Sequence, residues 1–302
     1  IVEYSEALRL RPDFPEAHNN LGISLAGSAK TAEAFRHYLE ALRLRPDYAL
    51  AHNNMANLLA AEGRTGEAAS HYEAALRIKP DLAEARNGLG RLVGMEGKTG
   101  EMMAHNNEAL RIDSGSAEVH NELGSALESQ GKLTEALAHF SAAVRLKPGY
   151  ADAHSNLGVV LSKQGNFEEA IGHFLEALRL QPGFLGAHNN LAIAYAQQGK
   201  SDLALEQLSE LLRLKPDHAE AHNNLALLLA SQGKTGDAIG HYRESLKINP
   251  NFADAHRNLG TLLAGQGKLD EAIAHLSEAL RINPNDAAAG SALEKARQGG
   301  HP

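Results

Sequence analysis

The stretch "AHNNLALLLASQGKTGDAIGHYRESLKINP", Ala221 to Pro250, decides the fold, because the chain writes close copies of it along its whole length. AHNN also stands at 17–20, 51–54 and 187–190, with AHSN at 153–156 and AHRN at 255–258. Prolines fall at 12, 46, 80, 148, 182, 216, 250 and 284, each step being 34 residues or twice 34, and Ser114 holds the skipped place. Gly63, Gly97, Gly131, Gly165, Gly199, Gly233 and Gly267 keep the same step, as do Ala34, Ala68, Ala136, Ala170, Ala204, Ala238 and Ala272. A register held across 302 residues makes this a repeat array, whatever domain count its length suggests.

Within one unit, Ala17, His18, Leu21, Gly22 and Leu25 gather on one face of a helix. Ala34, Tyr38, Ala41 and Leu42 do the same for a second helix. Between them EGR, EGK or QGK places a glycine where a helix ends in the left-handed region. Pro with a following Asp or Asn ends the second helix. Asp13 with Glu16, Asp81 with Glu84 and Asp217 with Glu220 have the spacing of a capping box for the next one. Small residues such as Gly22, Ala34 and Ala41 let backbones approach. The fold read from this pattern is all-α, a stack of antiparallel helix pairs.

These features resemble the tetratricopeptide repeat, a 34-residue helix–turn–helix with a small residue in the first helix, Ala and an aromatic in the second, and Pro near the end. The resemblance covers residues 1–286. Residues 1–14 read as the second half of a truncated repeat, which suggests a piece of a longer protein. Eight repeats follow over 15–286: 15–48, 49–82, 83–116, 117–150, 151–184, 185–218, 219–252 and 253–286. Residues 287–302 read as a capping helix and tail, with Glu294 in place of the small residue. The resemblance implies a right-handed superhelical solenoid with the first helices lining its concave side. Repeat 83–116 departs: Ser114 replaces Pro, Asn106 the aromatic and Arg86 the usual His. A polar group at a packing site costs stability unless it is hydrogen-bonded, so this repeat reads as the weakest joint.

The chain is 43% hydrophobic and 22% charged, with a net charge of −8 and no basic block, which argues against nucleic acid. No apolar run approaches the roughly 20 residues of a membrane helix. Cysteine is absent, which fits a cytosol and leaves a periplasm open. No phosphate loop, nucleophile elbow or paired-carboxylate site is visible, so the expectation is no enzyme and no cofactor.

On the helical wheel the second amide of each pair lies opposite the apolar face, and the first at the margin of the polar face. Repetition makes a ladder of Asn20, Asn54, Asn156, Asn190, Asn224 and Asn258, broken by Gly88 and Glu122. An Asn amide offers donor and acceptor together, and can hold an extended peptide by its backbone. The ladder resembles the repeat arm of O-linked N-acetylglucosamine transferases, whose Asn residues grip substrate polypeptides; by that resemblance the six residues are peptide-binding. Two other readings stay open: the amides brace neighbouring first helices, or they are inherited from duplication. A carboxylate clamp is disfavoured, since the groove mouth is acidic (Glu16, Glu84, Glu118, Asp152, Glu220, Asp254).

Two histidine columns, His18 to His256 in first helices and His37 to His275 in second helices, share the period, and the first reads as a half-buried spacer. His218 and His222 form an HxxxH pair without further ligands, so no metal is expected. The Arg series that includes Arg43 and Arg179 sits at helix C-termini with an acid three residues back. The function expected is a protein-binding scaffold for an extended polypeptide. The alternatives are the substrate-recruiting arm of a larger glycosyltransferase, a bacterial relative fitting best, and a module that self-assembles through its exposed ends.

Overall fold

The computed structural model describes residues 1–299, which form eighteen α-helices and no strand. They divide into two compact units, 1–148 and 149 onward. The first holds α1 (Val2–Leu10), α2 (Pro15–Ala26), α3 (Thr31–Leu44), α4 (Ala49–Ala61), α5 (Thr65–Ile78), α6 (Ala83–Met95), α7 (Thr99–Ile112), α8 (Ala117–Ser129) and α9 (Leu133–Leu146). The second holds α10 (Ala151–Lys163), α11 (Phe167–Leu180), α12 (Leu185–Gln197), α13 (Ser201–Leu214), α14 (Ala219–Ser231), α15 (Thr235–Ile248), α16 (Ala253–Gly265), α17 (Leu269–Ile282) and α18 (Ala287–Arg297). Within each unit, a first helix packs on its own second helix, and most also touch the first helix of the next repeat, as α2 does on α3 and α4.

The turn between the two helices of a repeat is made where the sequence places it. Gly63 through Gly267 have φ of +72° to +83°, a region an L side chain avoids. The first repeat has no glycine there, and Ala29 takes the same conformation at φ +57°. Close packing follows from the small residues. Ala34, Ala68, Ala136, Ala170, Ala204, Ala238 and Ala272 are wholly buried. At Gly22 a Cβ would come within 2.6 Å of the Tyr38 ring, so the glycine is what lets that ring lie flat on α2. Tyr38, Tyr72, Phe140, Phe174 and Tyr242 are all buried at this seat, where each adds roughly 1.5–3 kcal/mol of apolar transfer.

The capping boxes are not formed. The residue after each Asp takes the cap position: Phe14, Leu82 and His218 stand at the N-termini of α2, α6 and α14. Phe14 and Leu82 give no side-chain cap, and Asp13 and Asp81 lie one residue too early. Side-chain caps come from Ser116, from Asp286 at 3.0 Å to Ala289 N, and from His218, whose Nδ1 accepts from Ala221 N at 3.2 Å. The HxxxH pair is therefore split between a cap and the interior. At the start of the chain, Tyr4 and Leu8 pack against the first unit's core, while Ile1, Val2 and Leu10 are exposed.

Candidate functional site

The two amides of the repeated AHNN divide in burial, and the division is not the one a single helical wheel gives. The first amide is the buried one: Asn19, Asn53 and Asn223 are 2%, 1% and 5% exposed. All six ladder residues, Asn20, Asn54, Asn156, Asn190, Asn224 and Asn258, are half-buried. The wheel fails for Asn19 because the next first helix lies over it, and a wheel contains no neighbour.

The two columns meet across repeats. Asn54 on α4 donates Nδ2–H to Asn19 Oδ1 on α2 at 2.9 Å, and Asn19 donates to Asn20 Oδ1 at 3.2 Å. In the second unit the relay is longer. Asn258 on α16 donates to Asn223 Oδ1 at 3.1 Å, Asn223 to Asn224 Oδ1 at 3.2 Å, and Asn224 to Asn189 Oδ1 on α12 at 2.9 Å. Asn54, Asn224 and Asn258 thus brace neighbouring first helices, each with one N–H.

The gaps obey the same rule. Where Gly88 and Glu122 supply no donor, Asn53 Oδ1 and Asn87 Oδ1 are buried without a partner among the described residues. Both gaps are made from the second helix of the repeat before. Tyr72 on α5 reaches Asn57 Oδ1 with its hydroxyl at 2.5 Å, and its ring occupies the space a side chain at residue 88 would need. Asn106 on α7 donates Nδ2–H to Glu122 Oε2 at 2.8 Å, and burial pushes the Glu122 carboxyl above its ordinary range. Asn190 makes no bridge among the described residues, because Ser155 stands in the first-amide place of the preceding repeat.

Open clefts run along these first helices. One of about 440 Å³ is lined by Ile193, Gln197, Asn224, Leu227 and Ser231. Another of about 780 Å³ takes in Leu227, Arg257, Asn258 and Thr261. Their floor is apolar, with Ile193 and Leu227 exposed by 41% and 47%. In the first unit a cleft of about 770 Å³ is lined instead by Asn57, Arg91, Met95, Glu122 and Ser125. Several acids of the groove mouth are already matched. Glu16 is held by Arg45, which keeps its carboxyl below the ordinary range, and Glu118 by Lys147 at 2.7 Å with the same result. Arg257 bridges Asp254 and Asp286 at 2.8 Å each. Among the described residues no group of three or more His, Cys, Asp or Glu side chains is arranged to hold a metal. No helix there is long and apolar enough to cross a membrane.

Helix hairpins of one length and one turn, stacked at a fixed period, define an α-helical repeat scaffold. A family model for the tetratricopeptide repeat matches residues 3–49, 20–83, 53–117, 107–151, 121–183 and 189–251, and a second matches 229–296. The chain belongs to the tetratricopeptide-repeat family, whose members mediate protein–protein interactions. A search of curated proteins found no match. Among solved structures, a tetratricopeptide repeat protein of Parabacteroides merdae superposes with a TM-score of 0.63 at 17% identity, over 82% of this chain and 98% of its own. For pilF of Pseudomonas aeruginosa the values are 0.60 and 24%, over 69% and 95%. The Cut9–Hcn1 hetero-tetramer gives 0.59 at 20%, over 97% of this chain and 51% of its partner in the match. These likenesses carry the fold. None of them supports the narrower likeness to the glycosyltransferase arm.

Proposed function

We propose that the chain is a non-catalytic scaffold that binds an extended polypeptide along its first helices, with Asn20, Asn54, Asn156, Asn190, Asn224 and Asn258 as the peptide-contacting ladder. The observation that carries this reading is the position of Asn224 and Asn258. Each lines an open, apolar-floored cleft while one of its N–H groups is held by the preceding amide. An amide fixed by one hydrogen bond keeps its second N–H and an oxygen lone pair in a defined direction. Bracing and binding are thus two uses of one side chain, and the brace removes rotamer freedom that a ligand would otherwise have to restrict. A ladder that reads the backbone tolerates many sequences, which suits an array of near-identical units.

The two uses separate at particular residues. Asn190 makes no bridge among the described residues, so Asn190→Ala should weaken binding and leave the melting temperature unchanged. Asn223 is buried and does not itself line a cleft, so Asn223→Ala should lower stability and touch binding only by releasing Asn258. Peptides found by fluorescence-polarisation screening of an unstructured library serve as the probe. One neutral hydrogen bond is worth about 0.5–1.5 kcal/mol, so Asn190→Ala should raise Kd by about 2- to 10-fold. Unchanged Kd values for Asn190→Ala and Asn224→Ala across such peptides would reduce the ladder to a brace.

A further inference from the structure

Histidine forms a second periodic seam, separate from the amide relay. Nδ1 of His18 faces Nδ1 of His37 at 2.9 Å. The pairs His52–His71, His120–His139, His154–His173, His222–His241 and His256–His275 repeat the contact at 2.9–3.0 Å. Each pair ties the first helix of a repeat to its second. Ring centroids 5.1–5.3 Å apart put the two nitrogens head-on. That is the geometry of an N–H···N hydrogen bond, and it is unlike two lone pairs converging on an ion.

The tautomer is fixed from outside. Nε2 of His18, His52, His222 and His256 lies 2.9–3.1 Å from the carbonyl oxygens of Pro12, Pro46, Pro216 and Pro250. A carbonyl only accepts, so that nitrogen carries the hydrogen and Nδ1 of the neutral ring is the acceptor. The hydrogen in the bridge therefore comes from the second ring. Such a pair can take one proton and keep its bond, with a hydrogen on each Nε2 and one shared between the two Nδ1 atoms. It cannot take two, because two cations would then point N–H groups at each other.

We propose that these six pairs make the helix hairpins proton-sensitive: one shared hydrogen closes each hairpin, and a second proton on the pair opens it. Burial, followed by the charge of the partner ring, holds His37, His71, His139, His173, His241 and His275 below the ordinary histidine range. The sign follows from that direction. The full contribution to stability is present above the unfolded-chain value of about 6.5 and is lost as pH falls through the lower folded values. Facing carboxylates oppose the shift: Glu33, Glu67, Glu135, Glu169, Asp237 and Glu271, one turn back on each second helix, with Glu244 ahead of His241. Glu40, Glu176 and Glu278 feel the charge of His18, His154 and His256 in turn. Arg36 beside His37, Arg145 beside His120 and Arg243 beside His275 reinforce it.

The chain contains its own control. In repeat 185–218 Gln207 replaces the second histidine and its Oε1 meets His188 Nδ1 at 2.9 Å; an amide can turn either its oxygen or its N–H to the ring, so it can bond that nitrogen whether or not it carries a proton. A variant carrying H37Q, H71Q, H139Q, H173Q, H241Q and H275Q extends that solution to every pair. Urea midpoints measured from about pH 7.5 to 5.5, above the carboxylate range, should fall for the wild type and fall much less for the variant, which keeps only His105 and His120 among the lowered histidines. Amide protection, corrected for intrinsic rates, should drop by about 10-fold or more in the paired hairpins and hold in 185–218. Equal slopes for wild type and variant, or an equal loss in 185–218, would overturn the proposal. If the variant does not fold, nitrogen NMR of the wild type decides. Each pair should take its two protons in separate steps, the second at lower pH than the first, and twelve rings titrating independently near the ordinary value would refute it.

Discussion

Repeats 83–116 and 219–252 are built from helices of the same lengths, 13 and 14 residues, and share the turn at Gly97 and Gly233, yet they are held together differently. In 219–252 Tyr242 fills the buried aromatic seat, His222 bonds His241, and Asn223 both donates and accepts in the amide relay. In 83–116 the seat holds Asn106, wholly buried, with Oδ1 unpartnered among the described residues. Arg86 stands where the histidine would be. It still reaches the Pro80 carbonyl at 2.9 Å, while its buried Nε has no partner among the described residues. Asn87 Oδ1 is orphaned because Glu122 cannot donate to it. The comparison separates two layers of the design. Turn and small-residue contacts fix the backbone, and polar seams between helices are added on top, so they can fail without changing the trace. Each orphaned buried atom costs about 1–3 kcal/mol. Repeat 83–116 is therefore expected to exchange its amides faster than 219–252.

The strongest way to break the difference is to rebuild the failed seams. Asn106→Phe with Glu122→Asn restores the ring on Gly90, as Phe140 sits on Gly124, and supplies a donor for Asn87 Oδ1. Burying a Phe and removing an orphaned oxygen should together raise the stability of this repeat by about 2–4 kcal/mol. Hydrogen exchange should then show 83–116 protected as well as 219–252. If it remains the fastest repeat, the weakness lies in the missing proline at Ser114 and not in the seams.

A smaller effect, of opposite sign, is expected from mending the ladder by sequence alone. Gly88→Asn restores the written motif and would offer a donor to Asn53 Oδ1, but its side chain must displace the Tyr72 ring. Overpacking of this kind costs about 1–3 kcal/mol. Thermal unfolding should show a loss, and Tyr72→Leu in the same chain should recover part of it, as Leu208 and Leu276 already fill that seat. A gain in stability from Gly88→Asn alone would mean that the ring moves freely and that the gap is not imposed by it.

Much of this was legible in the sequence. The step of 34 residues, the glycine turns and the buried alanines could be read directly, because each depends on local backbone conformation or a single close contact. The seams could not be read from one helix. Asn19 looked marginally exposed until α4 covered it, and its partner Asn54 lies 35 residues on. That spacing recurs between Asn189 and Asn224 and between Asn223 and Asn258, and it could have been found by comparing the two amide columns with each other. The histidine columns likewise pair at a constant offset of 19 residues, which neither column shows by itself. The capping boxes failed for a local reason. Phe14 and Leu82 take the extended conformation themselves, which leaves each Asp one residue outside the helix.

The smallest effect isolates the turn layer, where the first repeat differs from both of those compared. Ala29 sits at φ +57° in the place that Gly97 and Gly233 hold. An L residue in the left-handed region costs about 1–2 kcal/mol relative to the right-handed one. Replacing it by glycine relieves that strain but adds freedom to the unfolded chain, which returns about 0.4–1 kcal/mol of the gain. Ala29→Gly should therefore stabilise by about 0.5–1 kcal/mol, read as a rise in the urea midpoint with no change in its slope. Gly233→Ala should cost a similar amount, since no atom lies within 4 Å of its Cβ position and only the backbone is affected. Neither change touches an amide or a histidine pair, so peptide affinity and the pH dependence of stability should be the same as in the wild type. A change in either would show that turn and seams are coupled, and that the two-layer view drawn from 83–116 and 219–252 is wrong.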